Sequence, residues 1–177
     1  MRLFVALELP WPLRDRLVGL ATGIHGARWV GLENLHLTLR FIGEVANWRA
    51  EEIDLALQTI KSRSFPLVIS GVGLFEKAGR VTSLWAGIER CPQLDHLQTK
   101  VETAMQRAGL EPERRRFTPH VTLARLDQPA NEKITGFVQR NNLFRAEVFQ
   151  VERFTLFSSR LGKESSVYTA ESDYNLS

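Results

Sequence analysis

The sequence contains little cysteine and no long hydrophobic run, and each shortage excludes a class of protein. Cys91 is the only cysteine among 177 residues, so an internal disulfide framework and a cysteine-based zinc site are both excluded. No apolar stretch approaches the roughly 20 residues that a membrane-spanning helix needs. The apolar start is interrupted at Glu8 and Pro10 and has no small-residue cleavage site, which indicates a first strand rather than a signal peptide. We therefore expect a cytoplasmic protein that does not associate with a membrane.

The charge and the hydrophobic content are ordinary and indicate a globular fold. Hydrophobic residues make up 44% of the chain and charged residues 24%, which excludes a disordered or collagen-like protein. The net charge is +3, a value that permits a phosphate-bearing partner without requiring one. The length predicts a single domain over residues 1–177, made of two lobes that share a core. Our working expectation is a monomer, although no residue pattern sets the oligomeric state.

Strand and helix patterns are interleaved along the chain. Runs rich in strand formers predict strands at 2–9, 35–42, 66–75, 82–88, 119–126, 146–157 and 165–170. Helical spacing of apolar residues predicts helices at 11–26, 48–61, 93–108 and 131–140. Asn47 is the expected N-cap of the second helix, and Gly109 is expected to end the third. Because several neighbouring strands have short links, we expect an α+β fold with antiparallel sheets rather than a doubly wound parallel sheet.

One internal repeat stands out. The segment 34–39 (NLHLTL) is answered 84 residues later by the segment 119–124 (PHVTLA), and each copy follows a helical stretch. This repeat predicts two similar lobes, each of which contributes one strand to a shared cleft.

The two His-x-Thr segments carry residues suited to phosphodiester chemistry. Side chains two apart in a strand point to the same face, so His36 and Thr38 share one face, as do His120 and Thr122. One neutral imidazole can accept a proton and one imidazolium can donate a proton near neutral pH. Threonine hydroxyls can donate hydrogen bonds to phosphate oxygens. The pattern predicts acid–base cleavage of a phosphodiester with a bell-shaped pH dependence near neutrality. Two solvated polar faces with no joint function remain the alternative.

The sequence resembles the 2H phosphoesterases, which carry paired HxTx motifs. The resemblance lies in ENLHLTLRFIGEV at 33–45 and FTPHVTLARL at 117–126, and it extends to RLFVALELP near the start and FTLFSSRL near the end. These segments match the branch of bacterial and archaeal RNA 2′,3′-cyclic phosphodiesterases, also called 2′-5′ RNA ligases. The two motifs together are specific, whereas either one alone is weak.

This resemblance implies a fold, a reaction and four catalytic residues. The implied fold is bilobal, with a water-filled cleft between two pseudo-symmetric antiparallel sheets and helices packed outside. His36 would be the proton donor and His120 the proton acceptor, while Thr38 and Thr122 would hold the phosphate. The implied substrate is an RNA with a 2′,3′-cyclic phosphate end, such as a tRNA fragment, and the product carries a 2′-phosphate. Reversal of the reaction would form a 2′-5′ linkage without ATP.

The resemblance also implies that Phe41 stacks on a base and that Arg125 contacts the phosphate. Both residues lie five positions after their histidine, so strict alternation puts them on the opposite face from His36 and His120. They can reach the cleft only if each strand ends or bulges first. Otherwise Phe41 is a core ring and Arg125 is an exposed charge at a strand end.

Other candidate residues carry weaker signals. No HExxH motif or carboxylate cluster accompanies the four histidines, so we expect no metal and no other cofactor. The run Arg114, Arg115 and Arg116 could guide RNA into the cleft or form a solvated loop. Trp29, Trp48 and Trp85 could stack on bases, although packing in the core or at its rim is favoured. Cys91 is assigned no role.

Two other functions stay open at the level of the sequence. One is the same chemistry on a small nucleotide, such as a cyclic phosphate of ADP-ribose. The other is a module that binds a nucleotide or RNA without turnover. Binding alone would survive removal of one imidazole, whereas acid–base catalysis would not.

Overall fold

Ten strands and four helices follow one another in the computed structural model, which describes residues 1–177. The strands are β1 (Arg2–Glu8), β2 (Arg28–Trp29), β3 (His36–Glu44), β4 (Phe65–Leu67), β5 (Ile69–Lys77), β6 (Arg80–Ile88), β7 (His120–Pro129), β8 (Phe149–Val151), β9 (Arg153–Leu161) and β10 (Ser166–Asn175). The helices are α1 (Trp11–Val18), α2 (Asn47–Gln58), α3 (Pro92–Arg107) and α4 (Glu132–Asn141). No helix is both long and apolar enough to cross a membrane.

Eight of the strands form one antiparallel sheet. Its order is β10-β9-β1-β3-β7-β6-β5, and β2 pairs with β7 outside this path. The sheet has two halves that meet between β3 and β7, where Leu37 and Val121 form the one registered pair. Strands β4 and β8 form a separate two-stranded sheet. The predicted α+β fold with antiparallel strands is confirmed, and the two expected sheets are the halves of this single sheet.

The two faces of the sheet are covered differently. On β1, Leu3, Val5 and Leu7 point into the main core, a cluster of 35 buried residues. Phe4 and Ala6 point the other way and form a separate cluster of 3 buried residues with Phe157. Every buried apolar side chain of the four helices belongs to the main core. The helices therefore cover one face, and the other, which we call the cleft face, is free for a site.

Three predicted helix boundaries are wrong. Helix α1 ends at Val18 rather than at residue 26, and the positive φ angles of Gly23 and Gly26, 77° and 80°, do not permit a helix in the segment beyond it. Helix α2 ends at Gln58 rather than at residue 61. Asn47 is the first residue of α2, and Ala46 takes the N-cap position without a side-chain hydrogen bond.

Two predicted strands are each divided between the two sheets. The segment 66–75 breaks at Val68 into β4 and β5, and the segment 146–157 breaks at Glu152 into β8 and β9. In both cases the shorter piece joins the two-stranded sheet while the longer piece joins the main sheet. A continuous run of strand-forming residues in the sequence does not indicate that the chain passes from one sheet to the other.

Candidate active site

The pair at the junction of the two sheet halves sets the positions of both motifs. The side chains of Leu37 and Val121 are fully buried in the main core. Because successive side chains of a strand alternate between faces, their chain neighbours point to the cleft face. These neighbours are the four residues that the sequence predicts as catalytic: His36, Thr38, His120 and Thr122.

Strand β3 carries a bulge directly after its His-x-Thr segment. Thr38 and Arg40 pair with consecutive residues of β1, so Leu39 is an extra residue in β3. An extra residue reverses the alternation that follows it. Phe41 therefore lies on the same face as His36, and its side chain is 52% exposed. The bulge that Phe41 needs in order to reach the cleft face is therefore present.

Strand β7 carries the matching bulge. Thr122 and Ala124 pair with consecutive residues of β6, which leaves Leu123 as the extra residue. Arg125 consequently joins the face that carries His120, and its side chain is exposed. Both motifs thus present a histidine, a threonine and the fifth following residue on one face, because each strand bulges after its threonine.

The imidazole of His36 is held in an aromatic pocket. Its Nδ1 lies 3.0 Å from the backbone oxygen of Asn34. The rings of Phe157 and Tyr168 lie 4.6 Å and 5.5 Å from the imidazole, centroid to centroid. Burial lowers the pKa of His36 to about 4, and the positive charge of Arg14 acts in the same direction. The carbonyl of Asn34 opposes this shift only in part.

The imidazole of His120 has a similar but less enclosed setting. Its Nδ1 lies 2.6 Å from the backbone oxygen of Thr118, and its ring meets that of Phe75 edge-on at 4.9 Å. Burial lowers the pKa of His120, and the charge of Arg125 lowers it further, while the Thr118 carbonyl acts against both. Trp85 packs behind His120, with its ring centroid 6.3 Å away.

The two histidines share a tautomer. A backbone carbonyl can only accept a hydrogen bond, so Nδ1 of each neutral ring must carry the hydrogen. In each ring, Nε2 is then the atom that can accept or donate a proton. The hydroxyls of Thr38 and Thr122 form no hydrogen bond within the protein and are free to bind a ligand. One imidazole can accept a proton from a ligand bound between β3 and β7, and the other can donate a proton to it.

Arg28 is a cation beside the predicted phosphate-binding residue, and no pattern in the sequence indicates it. Arg28 lies on β2 directly opposite Arg125 on β7, so the two side chains share a face. Both side chains are exposed, and neither forms an ion pair or a side-chain hydrogen bond. Strand β2 has two residues, too few to show alternation in the sequence.

The other candidates of the sequence analysis lie in different settings. Trp85 is on the cleft face opposite Thr122, where its ring lies so close to Gly73 that a β-carbon at that position would clash. Trp29 packs against Phe137 of α4, at 5.6 Å between ring centroids. Trp48 is 61% exposed on α2. Only Trp85 of the three therefore contacts the predicted site.

The arginine run and the cysteine have no contact with the two histidines. Arg114, Arg115 and Arg116 are exposed in the segment that precedes β7. Arg115 lies 3.4 Å from Glu113. Cys91 is half-buried, with its Sγ 3.8 Å from the carbonyl oxygen of Pro66. No three His, Cys, Asp or Glu side chains lie close enough together to hold a metal ion.

Comparison with known proteins identifies the family. The model of the 2′-5′ RNA ligase superfamily matches residues 13–163. This chain belongs to the 2′-5′ RNA ligase superfamily. The matched span includes both His-x-Thr segments and both bulges, so the superfamily match covers the whole predicted site.

Individual members of the superfamily are similar to this chain over nearly its full length. The RNA 2′,3′-cyclic phosphodiesterase of Escherichia coli (strain K12) is 30% identical over 176 residues, which are 95% of this chain and 92% of that protein. The RNA 2′,3′-cyclic phosphodiesterase of Archaeoglobus fulgidus is 27% identical over 171 residues, 95% and 96% of the two chains. The crystal structure of E. coli LigT complexed with 3′-AMP superposes with a TM-score of 0.82 at 26% identity, covering 99% of this chain and 97% of that chain.

Proposed function

We propose that this protein is an RNA 2′,3′-cyclic phosphodiesterase that opens cyclic phosphate ends to 2′-phosphates by two-histidine acid–base catalysis. The observation that carries the proposal is the matched pair of bulged strands, which presents two imidazoles with free Nε2 atoms on one face. The superfamily match and the two phosphodiesterase relatives support the same reaction.

The proposed chemistry assigns opposite roles to the two imidazoles. Nε2 of neutral His120 takes a proton from water, and the resulting hydroxide attacks phosphorus. Nε2–H of protonated His36 gives its proton to the departing 3′ oxygen of the ribose. The P–O3′ bond breaks as the new P–O bond forms, and the phosphate stays on the 2′ oxygen. After the reaction His120 carries an extra proton and His36 has lost one. The starting state is restored when His120 releases a proton to solvent and His36 takes one up.

The remaining residues of the site bind charge and base. The hydroxyls of Thr38 and Thr122 donate hydrogen bonds to the non-bridging oxygens, whose charge increases in the five-coordinate state. The unpaired guanidinium of Arg125 contacts the phosphate, and Phe41 offers an exposed ring on which the terminal base stacks. With an RNA 5′-hydroxyl in place of water as the nucleophile, the same opening of the cyclic phosphate forms a 2′-5′ linkage without ATP, because the P–O3′ bond breaks as the new P–O5′ bond forms.

The reaction product tests the proposal. The protein is incubated with a short RNA that ends in a 2′,3′-cyclic phosphate, with excess EDTA present because we expect no metal. The product is treated with an enzyme that removes only 3′-phosphates and is also examined by phosphorus NMR. We expect a 2′-phosphate that resists the treatment. A 3′-phosphate would reverse the roles of His36 and His120, and an unchanged substrate would contradict the proposed function. The cytoplasmic location and the monomeric state stay predictions.

A further inference from the structure

A cavity of about 260 Å³ lies at the end of β1, beside the His36 half of the site. Glu8, Trp11, Arg14 and Arg153 are among its ten lining residues. Glu8 pairs directly with His36 across β1 and β3, and directly paired residues of antiparallel strands point to the same face. The cavity therefore adjoins the cleft face on which His36 lies.

Trp11 presents one open aromatic face at this cavity. Its side chain is 54% exposed, and the Arg14 guanidinium covers the other side of the ring at 4.4 Å from the centroid. Arg14 is itself only 5% exposed, and its Nε donates a hydrogen bond to the Leu9 carbonyl at 2.7 Å. The ring is thus held from behind, which reduces the entropy lost when a planar group stacks on its free face.

Trp11 and Phe41 lie on opposite sides of His36. Phe41 is five residues beyond His36 along β3, whereas Glu8, the partner of His36, precedes Trp11 by three residues. Three residues span at most about 11 Å, so Trp11 stays close to the His36 end of the site. A nucleotide whose phosphate meets His36 and whose base lies on Phe41 leaves Trp11 free for a different base.

The charges around the cavity favour an uncharged group over a phosphate. Glu8 and Glu152 line it together with Arg14 and Arg153, so acidic and basic side chains balance. Arg153 lies 3.2 Å from Glu8 and is already paired. A nucleobase has no charge, has two flat faces, and stacks on tryptophan with little dependence on sequence.

We propose that Trp11 stacks on a nucleobase outside the cyclised nucleotide. This inference rests on the proposed function, because it assumes that RNA occupies the cleft face. Two sources can supply the base: the nucleotide that precedes the cyclic phosphate in the same strand, or the first nucleotide of an incoming strand with a 5′-hydroxyl.

Two substrates and one control variant test this inference. The substrates are adenosine 2′,3′-cyclic phosphate and a dinucleotide that ends in the same group, and the readout is kcat/KM for the dinucleotide divided by kcat/KM for adenosine 2′,3′-cyclic phosphate. We expect Trp11→Ala to lower this ratio by at least about fivefold, the lower end for loss of one base–aromatic stack. Trp48→Ala is the matched control, because Trp48 is 61% exposed and carries the Arg49 guanidinium over its ring at 5.4 Å.

A ligation arm separates the two sources of the base. In the ligation reaction, the KM of a 5′-hydroxyl strand is measured with Trp11→Ala and with Trp48→Ala. An increase confined to Trp11→Ala in this arm, with the dinucleotide ratio unchanged, assigns the base to the incoming strand. An unchanged ratio together with an unchanged KM for the incoming strand overturns the inference. So does an equal effect of Trp11→Ala and Trp48→Ala.

Failure of the inference can be told apart from failure of the proposed function. Turnover of adenosine 2′,3′-cyclic phosphate by the unmodified protein reports on the function and needs no second base. If that turnover is absent, the affinity for an uncleavable RNA dinucleotide, followed by fluorescence anisotropy, still tests Trp11. A loss of affinity of at least about fivefold in Trp11→Ala, absent in Trp48→Ala, supports the stacking position in that case.

Discussion

At the scale of single residues, the two histidines differ in how strongly their surroundings disfavour a positive charge. His36 is 8% exposed among aromatic rings, and its pKa falls to about 4. His120 is half-buried, and its pKa is lowered by burial and by Arg125. In the free protein both rings are therefore mainly neutral at pH 7. A bound phosphodiester carries the negative charge that would restore a proton to one of them.

Removal of either imidazole is the direct test of the proposed catalysis. We expect His36→Ala and His120→Ala each to lower kcat by at least about 10²-fold, the lower end for loss of a general acid or base. The double variant loses little more than the worse single variant, because the two rings act as one unit. Turnover of a cyclic phosphate RNA measures all three, and His96→Ala on the exposed side of α3 is the control. Near-normal turnover in either single variant contradicts the two-histidine mechanism.

The lowered pKa values make the pH dependence different for the free protein and for the complex. The productive form has one ring protonated and one neutral, and its population is largest between the two macroscopic pKa values of the pair. Both values lie below 6.5 in the free protein, so we expect kcat/KM to peak on the acidic side of pH 6.5. The substrate charge raises the pKa of the protonated ring, which moves the maximum of kcat toward neutrality. Coincident profiles for kcat and kcat/KM would contradict this account.

Burial of neutral His36 also links stability to pH. The pKa of His36 is lower in the folded state, about 4 against 6.5, so the unfolded chain binds the proton more tightly. The stabilisation is complete above pH 6.5 and is lost as the pH falls from 6.5 to 4, with a total of about 3 kcal/mol. We expect the loss of unfolding free energy between pH 7 and pH 4 to be smaller by about 3 kcal/mol in His36→Gln. Urea unfolding at both pH values measures this difference. The control variant His96→Gln is expected to lose as much unfolding free energy between pH 7 and pH 4 as the unmodified protein does.

At the scale of secondary structure elements, the bulges decide which residues reach the site. Alternation alone locates β3 and β7 and puts the histidines and threonines on one face, as the structure has them. It also puts Phe41 and Arg125 on the wrong face, because a bulge depends on how a strand pairs with its neighbours. Leu39 and Leu123 are extra residues only relative to β1 and β6. A sequence window around either leucine contains no information about those partners.

Arg40 connects the bulge of β3 to the segment that leads into β7. Its guanidinium lies 3.0 Å from Glu102 of α3 and donates to the carbonyl oxygens of Phe41 and Glu111 at 2.7 Å and 2.6 Å. The side chains of Arg40 and Glu102 are 7% and 17% exposed. Glu102 also accepts a hydrogen bond from the backbone nitrogen of Glu113 at 2.9 Å. One buried ion pair thus joins β3, α3 and the loop before His120.

Loss of this ion pair should destabilise the fold strongly. We expect Arg40→Met to lower the free energy of unfolding by about 3 kcal/mol, because the half-buried Glu102 carboxylate and two carbonyl groups lose the buried guanidinium to which they are bound. Arg80→Met is the control, since Arg80 and Asp127 form an ion pair whose side chains are 47% and 73% exposed, and such pairs contribute less than about 1 kcal/mol. Urea unfolding at pH 7 compares the two variants. Equal losses in both would show that the buried pair has no special weight.

At the scale of the whole molecule, the sheet is divided at one residue pair and the site lies across the division. The internal repeat predicts two lobes that each give one strand to a shared cleft, and the two repeated segments lie on β3 and β7, which are neighbours in one sheet. The sequence does not reveal that the two halves of the sheet join edge to edge through Leu37 and Val121, because pairing between distant strands depends on the whole chain. It also does not reveal β2, whose Arg28 adds a second unpaired cation beside Arg125.

The distribution of charge over the molecule gives a last prediction. The arginine run before β7 leads directly to His120, and Arg114 and Arg116 are exposed without an ion pair. If both meet RNA phosphates, binding of a single strand releases counterions at each contact, and log K falls with log salt by about 0.7 per phosphate. We expect the double variant Arg114→Gln, Arg116→Gln to reduce the slope by about 1.4. The affinity for an uncleavable RNA oligonucleotide, measured at several salt concentrations, gives the slope.

The control for this prediction removes the same charge from the helix-covered side. Arg107 and Arg140 are exposed in the last turns of α3 and α4, whose buried side chains face the main core rather than the cleft face. The double variant Arg107→Gln, Arg140→Gln therefore has the same net charge as the test variant, but we expect it to keep the slope of the unmodified protein. Equal slopes in the two double variants would show that only net charge matters. The arginine run would then be a solvated loop, as one interpretation of the sequence has it.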